Sequence, residues 1–162
     1  MELMDGEIVI ASDTRFNNLG TGPWTFSIFM EKTDSTPASN YDGIFFMNSN
    51  NRFKFQNDDT LIHLSLGGQD SAVIPEGSWG GVDGNYHQIS CVRENNGNVL
   101  GYVDGVLKAT TSYSGKTFDA VSTTMRIGYN TQFLQANVGP ISFYNRALST
   151  SEVLKNYNQL KG

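Results

Sequence analysis

Apolar and polar residues alternate with a period of two along most of this chain, and the alternating runs are short and separated by turn residues. "EIVIAS", "PWTFSIFM" and "YDGIFFMN" lead the series, rich in the β-branched and aromatic side chains that suit a pleated surface. In "NRFKFQN", Phe53 and Phe55 fall on one face and Arg52 and Lys54 on the other, which predicts a strand buried on one side and wet on the other. "DDTLIHLSLGG" continues the meander, and the glycine-rich stretch 67–84 reads as a surface loop. "YHQISCVRENNGNVLGYVDGVLKATT" then predicts three strands joined at Asn96-Gly97 and Asp104-Gly105, pairs that tolerate the positive φ of tight hairpins. "TMRIGYN" and "VGPISFYN" bring the count to about ten strands, with Pro140 expected at a strand start or edge.

The period changes once, near the end. Ser149 followed three residues later by Glu152 is a capping box, and Val153, Leu154, Tyr157 and Leu160 then recur at helical spacing. These features predict a helix laid against the sheets on that face, with Lys161 and Gly162 at its end. The expectation is one domain over residues 1–162, all-β, with a single short C-terminal helix.

Composition narrows the chemistry. A net charge of −5 without a cluster of Lys and Arg argues against nucleic acid. No apolar run approaches the roughly 18 residues of a membrane span, and no basic segment with a long apolar run follows Met1. The expected compartment of synthesis and folding is therefore a cytoplasm. The single cysteine, Cys91, sits in the apolar alternation "HQISCV" and reads as a small buried hydrophobe rather than a nucleophile. His87 lies four residues from it in a strand, about 13 Å away, too far to activate it. His63 and His87 lie in no metal-ligand motif and read as ordinary strand histidines.

"YHQISCVRENNGNVLGYVDGVLKAT", "MRIGYN" and "VGPISFYNRALSTSEVLKNYN" together resemble the laminin-G-like, concanavalin A-like family in order and spacing. The matching features are Tyr86-His87, Tyr102 to Gly105, Ile127-Gly128 and Tyr144 to Ser149, with "LMDGEIVIA" similar to its opening strand. Tyr86 stands where that family usually has Trp. The resemblance implies a two-sheet antiparallel jelly-roll sandwich. Related glucanases carry a Glu-x-Asp-x-x-Glu strand, whose carboxylates share a face. Here "ELMDGE" sets Asp5 one position too late, on the opposite face from Glu2, so no catalytic residues are assigned.

Family members often hold calcium, for which Asp5, Asp83 and Asp104 are the available carboxylates. Turn chemistry already accounts for Asp83 and Asp104, so neither metal nor cofactor is assigned. Sugar stacking needs aromatic faces beside amides. Trp79, Tyr113, Tyr129 and Phe133, with Asn130 and Gln132, are the ligand or interface candidates, while Asp104, Gly105, Ser149 and Glu152 are expected to be structural. Two functions follow. The first is a bacteriophage virion protein, such as a capsid decoration protein, assembled in the host cytoplasm as a homo-oligomer, with a trimer favoured, on a capsid or tail protein. The second is a carbohydrate-binding, lectin-like module of a tail fibre or of a larger extracellular protein.

Overall fold

Alternation becomes layers because every strand has one apolar face to hide from water. The computed structural model describes residues 2–3, 8–10, 19–33, 41–48, 51–56, 61–118, 125–128 and 134–161. Within them the strands are β1 (Glu2–Leu3), β2 (Ile8–Ile10), β3 (Trp24–Lys32), β4 (Tyr41–Asn48), β5 (Asn51–Gln56) and β6 (Leu61–Leu66). They continue as β7 (Gln69–Ile74), β8 (His87–Arg93), β9 (Asn98–Val103), β10 (Val106–Ser112), β11 (Met125–Ile127) and β12 (Ala136–Tyr144). Antiparallel pairing builds two six-stranded sheets among the described residues, β1-β12-β3-β8-β9-β10 and β2-β11-β4-β5-β6-β7.

Ten strands were expected, and the additional ones are β1 and β7. The stretch 67–84 is only in part a loop. Gly67 and Gly68, at φ 54° and 76°, make a tight turn that sends β7 back along β6. The loop proper begins after Ile74. The two turns read from the sequence hold: Gly97 is at φ 85°, and Asp104 and Gly105 are at 52° and 75°. Pro140 sits within β12, where the register with β3 slips between Val138 and Ile141. That slip is where a proline, which has no N–H to give the ladder, fits within a strand.

The core lies between the sheets. Trp24, Phe26, Ile28 and Met30 from β3 meet Phe45 and Phe53 from the second sheet, all at 2 % exposure or less. Phe26 stacks on Phe53 with ring centroids 5.2 Å apart, and Trp24 meets Phe53 edge-on at 6.1 Å. Each such ring contributes about 2–3 kcal/mol by leaving water, whereas an exposed ion pair contributes about 0–1 kcal/mol. The aromatic layer, not surface charge, therefore holds the sandwich together. Lys54 departs from the expected wet face: it is 2 % exposed, with its ammonium on Asp70. A charge so buried needs such a partner.

The helix α1 (Thr150–Leu160) starts where the sequence places it. The Glu152 N–H donates to Ser149 Oγ at 3.3 Å and the Ser149 N–H to Glu152 Oε2 at 2.8 Å. Arg146 donates twice to the same carboxylate, at 2.7 and 3.0 Å. Hydrogen bonds from Arg146, then from Ser149, hold the Glu152 carboxyl down at about 2. α1 crosses the outer face of the first sheet, where Val153 packs with Val92, Tyr102 and Leu148. Leu154 and Leu160 do not share that burial, contrary to the sequence reading. They are 43 % and 42 % exposed because the contact line runs through Val153 and through Tyr157, which stacks on Phe29 at 6.1 Å. Replacing Ser149 by alanine should cost about 1 kcal/mol, read as a lower urea midpoint with an unchanged m-value.

Candidate functional site

Strand β3 buries both of its faces, and the second face builds a pocket. Trp24, Phe26, Ile28 and Met30 fill the core, so Thr25, Ser27 and Phe29 point the other way, under the helix. On β8 the same outward parity holds Gln88 and Ser90, and on β12 it holds Ser142 and Tyr144. Ser142 and Ser27 are directly opposed, as are Ser27 and Ser90, whose hydroxyls hydrogen-bond at 2.7 Å.

A pocket of about 180 Å³ opens there, floored by Ser27, Gln88 and Ser142 and walled by Tyr144 and by Asn156, Gln159 and Leu160 of α1. Asn156 Nδ2 donates to the Tyr144 hydroxyl at 3.1 Å, which ties the helix wall to the sheet. Every polar group in this lining is a hydroxyl or an amide, without a formal charge. One of them is unsatisfied: Gln88 is 2 % exposed, and its Oε1 is buried with no hydrogen-bond partner. A buried acceptor left unmade costs about 1–3 kcal/mol, and because this oxygen is closed to solvent it meets a ligand's donor when the Gln88 amide turns toward the pocket.

One residue before Gln88, the chain makes a charged clasp. His87 Nδ1 lies 2.7 Å from Asp104 Oδ2, and its Nε2 lies 3.1 Å from Asp83 Oδ2. The other Asp104 oxygen accepts the Gln88 N–H at 2.9 Å, and the Asp104 N–H donates to the Gln88 carbonyl at the same distance. The clasp thus joins the 75–86 loop to the β9–β10 turn and fixes the backbone of the pocket-floor residue. Burial by itself would lower the His87 pKa, but hydrogen bonds and charge from Asp104 and Asp83 outweigh it and hold the imidazole above its usual value. The Asp83 carboxyl is held below its usual value by the Asn85 N–H and, further, by His87. Among the described residues no group of three or more His, Cys, Asp or Glu could hold a metal ion.

The structure corrects two of the residues expected to meet a ligand. Trp79 and Tyr113 are 6 % and 0 % exposed, both within the core cluster, so neither offers a face for a sugar or a partner. Trp79 plugs the core from the 75–86 loop, its ring edge-on to His87 at 6.2 Å. The Tyr113 hydroxyl satisfies the carbonyls of Leu64 and Ser71, at 2.5 and 3.0 Å, and burial pushes its pKa up. Tyr129, Asn130, Gln132 and Phe133 lie outside the described residues, as does Asp5. Cys91 is fully buried and its thiol pKa is driven up by burial, as a core hydrophobe's would be. Asp104 serves as the turn residue expected and also as the hub of the clasp.

The sequence reading missed the pocket residues, although their outward parity was visible. "TFSIFM", "HQISCV" and "ISFY" each place Ser or Gln opposite the apolar positions. Which of those outward residues the helix would roof over was not.

No curated protein matches the sequence significantly. Among solved structures, a candidate carbohydrate binding protein from Bacteroides ovatus matches with TM-score 0.76 and 10 % identity, over 95 % of this chain and 45 % of that one. The binding domain of Paraclostridial Mosquitocidal Protein 1 follows at 0.72 and 15 %, over 94 % and 41 %. A botulinum neurotoxin type C structure, from work on its interaction with two ganglioside molecules, gives 0.69 and 12 %, over 97 % and 40 %. This chain therefore spans less than half the length of each of these structures, and at such identities the likeness is one of fold. A laminin G type family model, described as the concanavalin A-like lectin/glucanases superfamily, matches residues 5–154. On that match, supported by the two-sheet sandwich itself, the chain belongs to the concanavalin A-like lectin/glucanases superfamily.

Proposed function

We propose that this protein is a non-catalytic glycan-binding module whose site is the pocket beneath the C-terminal half of α1. The observation that carries the reading is the buried, unpartnered Gln88 Oε1 at the floor of a pocket lined by hydroxyls and amides. Such a lining matches the neutral hydroxyls of a sugar and offers no counter-charge to an ionic ligand. At about 180 Å³ the pocket lies below the range of roughly 300–1,000 Å³ that encloses drug-sized ligands, so it takes one terminal sugar ring and leaves the rest of a glycan outside. With the Gln88 amide turned into the pocket, a sugar hydroxyl donates to its Oε1, while Asn156 and Gln159 pair with hydroxyls nearer the mouth. Similarity in fold to the Bacteroides ovatus protein points the same way.

Saturation-transfer NMR against a panel of neutral mono- and oligosaccharides tests this. Transfer to one ring of a bound glycan is expected, and Gln159→Ala, on the exposed helix surface, should weaken binding about two- to tenfold through one lost neutral hydrogen bond. No transfer to any neutral glycan, or binding indifferent to Gln159→Ala and Asn156→Ala, overturns it.

A second reading keeps the assembly expected from the sequence. Leu107 and Leu154 are 44 % and 43 % exposed where the β9–β10 turn meets α1, and exposed apolar residues on one face favour a protein contact. On this reading the chain is a virion decoration protein, trimeric through that patch and seated on a capsid or tail protein. Light scattering should then give three times 17.8 kDa and resist dilution. A monomer at every concentration, with Leu154→Asp unchanged in mass, counts against self-assembly.

A further inference from the structure

Past Phe29, which Tyr157 of α1 covers, the outer face of the first sheet continues in a row of side chains that solvent reaches. Outward parity on β3 runs from Thr25, Ser27 and Phe29 to Glu31. Asn137 of β12 is paired with Glu31, and Met30 with His87, so Tyr86, just before β8, is the next position across from Glu31. His87 shares the inward parity of the core residue Ile89, which leaves Tyr86 outward with Gln88. The row therefore reads Asn137, Glu31, Tyr86, with neighbouring strands placing such side chains about 5 Å apart at their base.

Tyr86 is 45 % exposed, whereas Phe29 and Tyr102 on the same face are buried. Asn137 Nδ2 donates to Glu31 Oε2 at 3.0 Å, which holds these two side chains as a unit. That bond leaves the second carboxylate oxygen of Glu31, and the carbonyl oxygen and second N–H of the Asn137 amide, to meet a ligand. An aromatic ring beside two acceptors and a donor suits one sugar residue, whose C–H face stacks while its hydroxyls pair at the rim. The surface between this row and the pocket under α1 is low. Gly139 and Pro140 lie on β12 between Asn137 and the pocket-floor residue Ser142, and a Cβ at Gly139 would crowd Phe29, 3.2 Å from its Cβ. The way along β12 thus crosses no long side chain.

We infer that Tyr86, Glu31 and Asn137 form a second sugar subsite, which makes the ligand a neutral oligosaccharide rather than a free monosaccharide. The inference rests on the glycan reading of the pocket and extends it. Four residues of β3, about 13 Å, separate Ser27 on the pocket floor from Glu31, so the subsite takes a sugar about two units along the chain from the terminal ring. Tyr86 supplies the stacking face, and the Glu31–Asn137 pair accepts from and donates to the hydroxyls of that unit.

Isothermal titration of the full chain with gluco-, manno- and galacto-oligosaccharides of one to four units tests this. In the series that binds, affinity is expected to rise about tenfold between the disaccharide and the tetrasaccharide. Tyr86→Ala should remove that rise and leave the monosaccharide affinity unmoved, and Glu31→Ala should cut it by about twofold or more. Tyr86→Phe keeps the ring and should keep the rise. Both altered side chains reach solvent, so a urea midpoint near that of the wild type accompanies the loss. Monosaccharide binding with no rise along any series, or a rise left intact by either alanine substitution, overturns this subsite and leaves the pocket reading standing. Binding of no member of any series overturns both.

Discussion

Gly101→Ala should destabilise the protein by about 3 kcal/mol or more, the largest loss expected from adding one methyl group anywhere among the described glycines. A Cβ built at Gly101 stands 1.9 Å from the Val73 carbonyl oxygen and 2.9 Å from its carbon. Neither is the tip of a flexible side chain. Val73 lies in β7, the last strand of the second sheet, and Gly101 in β9 of the first, so this is where the two sheets come together across the sandwich. Thr111 Oγ1 donates to the Ala72 carbonyl at 2.8 Å and Gln69 Nε2 to the Ser112 carbonyl at 2.9 Å, pinning β7 to β10 on the N-terminal side of Val73. β7 can retreat from an added methyl only by straining these bonds and its pairing with β6. Urea unfolding of purified Gly101→Ala should show a much lower midpoint, and hydrogen exchange should speed up first in β7 and β10. A variant within 1 kcal/mol of wild type would mean that the sheets part there easily.

That glycine also shows what the sequence withheld. Periodicity made the strands legible because each needs only its own alternation: Ile62 with Leu64, or Ile89 with Cys91, declares a buried face without reference to any other strand. Caps and tight turns were equally local, which is why Ser149, Glu152, Asp104 and Gly105 are where they were expected. Contacts between elements were not legible. "VLGYV" carries a glycine inside a strand pattern, which warns of a close backbone approach but not of its partner. Trp79 misled for the same reason, since its neighbours are Gly and Ser and nothing local says that an indole in a glycine-rich loop will turn inward as a plug. The site was lost by the same logic. Ser27, Gln88 and Ser142 look like solvent-facing strand residues until α1 roofs them, and the roof is a long-range event.

Asp104→Ala should lower stability by about 2–4 kcal/mol at mildly acid pH and flatten its dependence on pH, while Asp104→Asn should do mainly the second. Alanine is poorly suited to φ 52°, and it strands the Gln88 N–H that Asp104 Oδ1 accepts. Asparagine tolerates that φ and keeps an acceptor for the Gln88 N–H, but its NH2 group replaces the oxygen facing His87, so it loses the charge and the hydrogen bond from the imidazolium. With both ring nitrogens on carboxylates, at 2.7 and 3.1 Å, His87 can satisfy both only as the imidazolium.

Its folded pKa is raised above the ordinary 6.5, so the clasp contributes fully below that value and fades as pH rises through the folded pKa. Asp83 has the opposite sign. Its pKa is lowered from 3.8, so its contribution is present above that value and lost as pH falls through the folded one. Stability from the clasp therefore peaks between the two ordinary values and declines toward neutral and alkaline pH. The longer of the two contacts, to Asp83, is the one a neutral imidazole gives up first, which frees the 75–86 loop from its far end while Trp79 still anchors its middle. Urea midpoints from pH 4 to 9, with hydrogen exchange at Asp83 to Asn85, read both effects. A flat wild-type profile across this range would show that His87 titrates in the folded protein as it does in the unfolded chain, so that the two carboxylates do not favour its imidazolium.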